Sequence, residues 1–459
     1  MKAWHTLLLP LLLWVGSEVG VAMTACTTAK FDDTIRCKCT ADTLQDPLTM
    51  WVCINTHELE FHDGFLYLQD EYLSKMVEVT GQLKLTMERL SFTRVHICGV
   101  LLSALLNILP ETKIRRLDFT EAKLLQMTQP PSPTQPFPVT TISMEHVTFH
   151  PCLLQSLVPP LNIWLLSSLS HLTLRNVTRG LLVGSSDCVS TVMLVNMTEL
   201  DLSQNSLTDD SVVNVSRCLS SLTQPVGPLV LSALRLSQNQ LHMLQELCPL
   251  LQTSPNLVEL DLSQNDLNYS AVGSSCFGST GQLKRLNLSR TGILAAEEVV
   301  PVGVEVLDLS GNRLQEFRNP PEELKELYLS DNQLSMLPDL VRATRLEVLT
   351  LDRNQLTSLS GEASLMMVLE RLSVLRAGGN PYTCGCENTK AVFLLRMYHN
   401  KVQDWPEAFL CTDPRNNSAP HWLDDLEDFN CDETSSGMGM SADVLLSVLA
   451  VVAVTVMLG

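Results

Sequence analysis

The sequence predicts an α/β fold of solenoid type, a curved horseshoe of leucine-rich repeats capped at both ends by disulfides. Three observations predict it: a recurring Leu-x-Leu phrase that ends in Asn, an aliphatic composition, and cysteines gathered near the two ends. The phrase LDLSQNSL at Leu200–Leu207 returns as LRLSQNQL at Leu234–Leu241 and LDLSQNDL at Leu260–Leu267. Further copies run from Leu307 to Leu314, Leu327 to Leu334 and Leu349 to Leu356, with weaker ones at Leu117, Leu172 and Leu286. From Asn265 through Thr291, Asn312, Asn332, Asn354 and Asn380 the steps are 26, 21, 20, 22 and 26 residues. In Leu-x-Leu both leucines point to one side of a short strand, while the Asn amide can satisfy backbone groups where the chain turns. No single coil buries its own apolar side, so the stack is the folding unit.

Composition agrees. Hydrophobic residues make up 45% of the 459 and aromatic ones only 5%. The 31 basic against 50 acidic residues leave a net charge of −19, which repels nucleic acid. An anionic lipid ligand remains compatible if apolar burial supplies the attraction.

The ends carry processing signals. Lys2 and the apolar run Leu7 to Val15 predict a secretory signal, too short to span a membrane. Val444 to Leu458 is apolar, with no Lys or Arg after it, and is preceded by Ser435, Ser436, Gly437 and Gly439. That order predicts a glycosylphosphatidylinositol anchor attached at Ser435, with the tail removed and no cytoplasmic signalling domain. Sequons at Asn176, Asn196, Asn214, Asn268, Asn287 and Asn416 agree with the secretory route. The expected organisation is a signal peptide over 1–22, an N-terminal cap with atypical hydrophobic first repeats over 23–113, and repeats over 114–379. A cysteine-rich cap follows over 380–431, then a spacer with the anchor site over 432–443 and the removed tail over 444–459.

Open ends of a stack must be covered. Cys384, Cys386, Cys411 and Cys431 resemble the four-cysteine cap of extracellular repeat proteins, with Cys384–Cys411 and Cys386–Cys431 the suggested pairing. Cys26, Cys37, Cys39 and Cys53 would cover the other end. Secretion and the lack of Cys-x-x-Cys pairs favour disulfides over zinc. Cys188 and Cys218 flank one repeat and Cys248 and Cys276 another, so each pair would tie down a loop; Cys98 and Cys152 have no evident partners.

Between Cys53 and Leu117 the consensus fades while apolar residues persist. Phe65, Leu66, Leu68, Tyr72, Leu73, Met76, Leu83, Leu85, Leu90, Phe92, Val95 and Ile97 lead to a predicted helix, Val100 to Leu109, that carries Leu101 and Leu105. Composition alone favours solid packing here. The motifs say otherwise. Cys26…Cys37-x-Cys39…Cys53, followed by Glu58-Leu59-Glu60-Phe61-His62-x-Gly64, resembles the monocyte differentiation antigen family, glycolipid-anchored co-receptors for lipopolysaccharide. The likeness continues through Val100 to Leu109, the proline-rich stretch Gln129 to Pro138, Leu174 to Thr178 and the spacing Cys188 to Cys218, covering most of the chain.

The resemblance implies pairs Cys26–Cys39 and Cys37–Cys53, and an N-terminal pocket between Phe65 and Leu105 for acyl chains of lipopolysaccharide or lipopeptides. Lys75, Lys84 and Arg94 would form a basic rim, with Lys113, Arg115 and Arg116 in the same region. It further implies delivery from a lipopolysaccharide-transfer protein, hand-over to a Toll-like receptor complex, residence on the outer leaflet of the plasma membrane, a shed soluble form, and a homodimer. The chain departs from that family in its C-terminal cap, which is more similar to a Toll-like receptor ectodomain and puts the dimer in doubt. The competing expectation is an adhesion or matrix-type repeat protein that binds proteins without lipid.

Catalysis is not expected, nor a cofactor or metal. The sequence has no Gly-x-Ser-x-Gly elbow or phosphate-cradling Gly loop, and His57 and His62 miss the helical i,i+4 spacing by one.

Overall fold

The computed structural model describes residues 26–42, 56–66, 87–98, 112–124, 138–149, 168–177, 196–226, 229–267, 281–296, 300–359, 362–413 and 419–428, with 53, 109 and 277. The predicted signal, the anchor region with Ser435, the apolar tail, and Cys152, Cys188, Cys276 and Cys431 lie outside the described residues, as does the side chain of Cys218. So do Asn268 and Asn416 and all of the predicted helix but Leu109.

The described residues open with an antiparallel hairpin of β1 (Cys26–Phe31) and β2 (Thr34–Thr40). From β2 onward the sheet is parallel, one rung per coil. The first rungs are β3 (Glu58–Leu66), β4 (Arg89–Ile97), β5 (Arg116–Thr120) with its extension β6 (Lys123–Leu124), and β7 (Thr141–Glu145) with β8 (Thr148–Phe149). β9 (His171–Arg175) and β10 (Glu199–Asp201) pass the ladder on to β11 (Ala233–Arg235) and β12 (Glu259–Asp261). β13 (Arg285–Asn287), β14 (Val306–Asp308), β15 (Glu326–Tyr328), β16 (Val348–Thr350) and β17 (Val374–Arg376) complete it.

Among the described residues this makes one sheet of 17 strands. Its register is fixed by the first leucine of each phrase, so that Leu59, Leu90, Leu117, Ile142, Leu172 and Leu200 share a row that continues to Leu375. The repeat register is already present at Leu59, within the segment 23–113 expected to hold the cap and the atypical first repeats.

Coil length varies only on the outer side. The coil between Asn205 and Asn239 accommodates α1 (Asp209–Val226), and the last full coil accommodates α3 (Glu362–Arg371), while α2 (Cys248–Gln252) forms a short turn between them. Small apolar cavities of about 30 Å³ lie under α1 and α3, lined by leucines such as Leu200, Leu231 and Leu250 in the first and Leu349, Leu375 and Leu395 in the second.

Both ends are covered. Cys26–Cys39 and Cys37–Cys53 are disulfides, and every sulfur of the Cys26, Cys39 and Cys53 cluster is thereby used. At the far end Cys384–Cys411 is bonded and Cys386 is disulfide-bonded too, as is Cys248. Cys98 is a half-buried free thiol. The cap sheet consists of β18 (Tyr382–Thr383), β19 (Leu410–Thr412) and β20 (His421–Trp422), beside α4 (Thr389–Met397). Tyr382, fully buried, donates its hydroxyl to the Ala377 carbonyl at 2.6 Å and stacks on Phe409, joining cap to last rung.

Candidate functional site

Each coil turns at the same place. Asp63, Arg94, Glu121, His146, Asn176, Gln204, Gln238, Gln264, Arg290, Gly311, Asp331, Arg353 and Gly379 all have φ between 47° and 69°. Each precedes the consensus Asn position. A left-handed residue other than Gly is strained, and it persists only where its surroundings over-determine it. What surrounds it differs between the two halves of the molecule.

In the rear coils the Asn side chain does the work. Asn239 Oδ1 accepts from Asn205 N at 2.9 Å and Leu207 N at 3.0 Å, while its Nδ2 donates to the Leu202 and Leu236 carbonyls at 3.0 and 2.9 Å. Asn332 repeats this with Leu314 N, Leu309 O and Leu329 O. Asn354, Asn380 and, in the cap, Asn388 carry the ladder to the end. At Thr291 the ladder changes character. The hydroxyl donates to the Leu288 carbonyl at 2.7 Å, and Leu267 N turns to the Thr291 backbone carbonyl at 3.2 Å.

In the front coils the Asn position holds Gly64, Val95, Ala122, Val147 and Val177. Here strand pairing continues beyond the turn, Gly64 with Val95, Leu66 with Ile97, and Leu124 with Phe149, so backbone partners replace the amide. Among the described residues, the inward positions of these rungs are consequently apolar. Phe61, Phe92 and Phe119 stack face to face with centroids 5.8 and 5.2 Å apart, and Val95, Ala122, Val147, Ile97 and Leu124 are buried behind them. The first polar rung is Asn205, whose amide reaches back to the Val177 N–H and the Leu174 carbonyl.

Of the residues expected in the pocket, Leu66, Leu90, Phe92, Val95 and Ile97 are buried in this apolar wall. Phe65 points the other way. It is exposed, edge-on to His96 at 4.5 Å, with its N–H donating to Asp42. Strand alternation explains this, because the next residue, Leu66, faces inward. Leu68, Tyr72, Leu73, Met76, Leu83, Leu85, Leu101 and Leu105 lie outside the described residues, as do Lys75 and Lys84.

The remaining member of the expected rim, Arg94, is engaged: its Nε and Nη2 donate to both Asp63 oxygens at 2.6 and 3.0 Å. Hydrogen bonds from Arg94, and then His62, hold the Asp63 carboxyl well below the usual carboxylate range. The pair raises Arg94 in turn. Arg116 is likewise engaged, sharing the buried Asp118 carboxylate with Arg89. Sequence reading missed these partners, although Asp63 adjoins His62 in the quoted motif.

Sequons at Asn176, Asn196 and Asn214 fall on exposed residues, whereas Asn287 lies within β13 with its Oδ1 accepting from Ser289 N at 3.0 Å.

Comparison with known proteins agrees with the repeat. A model of the Leucine Rich Repeat family matches residues 323–343. Toll-like receptor 2 of Bison bison is 33% identical over 227 residues, 50% of this chain and 27% of the receptor, and that of Macaca mulatta is 34% identical over the same length. The chain thus spans about a quarter of the length of these relatives. Among solved structures, one of the Drosophila Toll–Spatzle complex superimposes with a TM-score of 0.50 at 14% identity, covering 81% of this chain and 56% of that one. Rung register, Asn ladder and capping disulfides together make the chain a leucine-rich-repeat solenoid, similar over half its length to Toll-like receptor 2.

Proposed function

We propose that the chain is a cell-surface pattern-recognition co-receptor of the monocyte differentiation antigen kind, acting in innate immunity by binding rather than catalysis. Its front coils take up the acyl chains of bacterial lipopolysaccharide or lipopeptides, received from a lipopolysaccharide-transfer protein and passed to a Toll-like receptor complex. The observation that supports this is the apolar Asn position of the front coils. A lipid tail among Val95, Ala122 and Val147 meets no amide, whereas from Asn205 onward it would have to break a buried hydrogen-bond ladder. The similarity to Toll-like receptor 2 supports an extracellular setting.

Each buried methylene contributes about 0.8 kcal/mol, so two chains of roughly a dozen carbons gross somewhat under about 20 kcal/mol. Escape from a micelle or membrane and ordering of the tails consume most of that. With Arg94 and Arg116 already paired, a phosphate headgroup must rely on other cations or displace a carboxylate. Affinity then resides in the tails. We assign the anchor to Ser435, with 444–459 removed, so phospholipase C should release the protein from cells.

The test is uptake of a fluorescent triacylated lipopeptide by the secreted protein and by Leu85→Asp and Leu101→Asp, with thermal melting as a check on folding. Folded variants that lose uptake support the pocket; undiminished uptake removes it. Solvent extraction of the native protein separates this reading from a lipid-free adhesion protein, which would yield no acyl lipid.

A further inference from the structure

The C-terminal cap presents two apolar pairs to solvent. Leu410 and Trp422 stand opposite each other across β19 and β20 and are 42% and 56% exposed. Phe393 and Met397, one turn apart on α4, are 58% and 40% exposed. Arg396, between them in sequence, donates to the Asp424 carboxylate at 2.5 Å, two residues beyond Trp422, so both pairs belong to the same end of the horseshoe. The cap has its own core, with Tyr382, Leu395, Phe409 and Leu423 all fully buried, so these four side chains are not needed to close it.

What covers them follows from the chain beyond. Asp428 lies seven residues before Ser435 and sixteen before the apolar run that starts at Val444. Seven extended residues reach about 25 Å at most. An anchor at Ser435 therefore keeps this end of the solenoid within a short tether of the bilayer. Trp is the side chain most at home at the headgroup level, and Leu and Phe contribute burial just below it. The sequence after Trp422 carries Asp424, Asp425, Glu427 and Asp428, which oppose an anionic surface and leave a zwitterionic leaflet as the compatible one.

We propose that Trp422 and Leu410, flanked by Phe393 and Met397, seat the cap in the interface of a choline-headgroup bilayer. This rests on the anchor reading above. The seating gives the horseshoe a defined tilt relative to the bilayer.

The experiment places the full anchored protein in phosphatidylcholine vesicles containing lipid brominated high on the acyl chain, and compares it with Trp422→Phe. The expected result is quenching of a tryptophan component that Trp422→Phe lacks, at unchanged melting temperature. The double variant Phe393→Gln, Met397→Gln should weaken the quenching while leaving Trp422 in place. Equal quenching in wild type and Trp422→Phe, with the protein still floating with the vesicles, overturns the seating and spares the anchor. Failure to float overturns both. A lipid-free dimer that shields Trp422 at high protein concentration assigns the surface to a second copy and overturns the seating as well.

Discussion

The front and rear coils solve one problem with different chemistry. Both must turn a strand sharply at a left-handed residue and satisfy the backbone there, yet one half uses strand pairing and the other a side-chain amide. Where pairing runs on past the turn, the Asn position is free to become Val or Ala, and among the described residues the inward positions behind these rungs are apolar. Where each strand stops after three residues, Asn fills the position at every rung except that of Thr291, and a polar seam runs through the interior. An apolar ligand of the kind proposed would thus be confined to the front coils by turn chemistry.

The largest expected effect comes from exchanging the two solutions. Asn332→Leu strips the partner from the buried Leu314 N–H and removes one of two amide donors from each of the Leu309 and Leu329 carbonyls, which keep Asn312 and Asn354. The stripped N–H costs about 1–3 kcal/mol and each lost carbonyl bond about 1 kcal/mol, so a loss of about 3–5 kcal/mol is expected in urea unfolding. Val95→Asn should lose stability too, by about 1–3 kcal/mol for a buried amide without a designed partner. If Val95→Asn were neutral, the front interior would have to be wetter than its lining implies.

A gain is expected at the ladder's irregular rung. Thr291→Asn supplies the missing amide beneath Leu267, and should stabilise by about 1 kcal/mol, one typical net hydrogen bond. A loss on calorimetry would mean that the site has closed around the smaller side chain.

The smallest effect is at Asp261. Burial raises its carboxyl above the ordinary value, although its side chain and backbone hydrogen bonds to Ser263 pull the other way. A carboxyl raised on folding favours the folded state at low pH, and that benefit fades as pH rises through the folded pKa. Asn287, one coil on, caps Ser289 in the same manner without charge. Asp261→Asn should therefore keep the turn and gain stability at neutral pH. The gain should vanish near about pH 3, where both states are largely protonated. Chemical denaturation at the two pH values measures the difference.

The rear half was legible because Leu-x-Leu and Asn recur together. The front half kept Leu59, Leu90, Leu117, Ile142 and Leu172 in register but lost the Asn, so the eye had no second landmark. The signal was there as an apolar residue five positions after each of these, at Gly64, Val95, Ala122, Val147 and Val177. The left-handed position was hidden because it is filled by Asp, Arg, Glu, His and Gln far more often than by Gly. Its fitness is set by the stack, which single-coil reasoning does not see. The engagement of Arg94 was missed for the same reason, since Asp63 sits 31 residues away in sequence and one rung away in space.

The recurrence of that left-handed residue has a consequence for how such a molecule can change. Every coil re-enters the sheet at a fixed angle, so whatever is spliced in on the outer side is returned to the same phase. The 34 residues from Asn205 to Asn239 and the 20 from Asn312 to Asn332 leave the ladder equally in step. Growth by insertion is thereby uncoupled from alignment, and a foreign loop grafted beside α1 should disturb its own coil and little else.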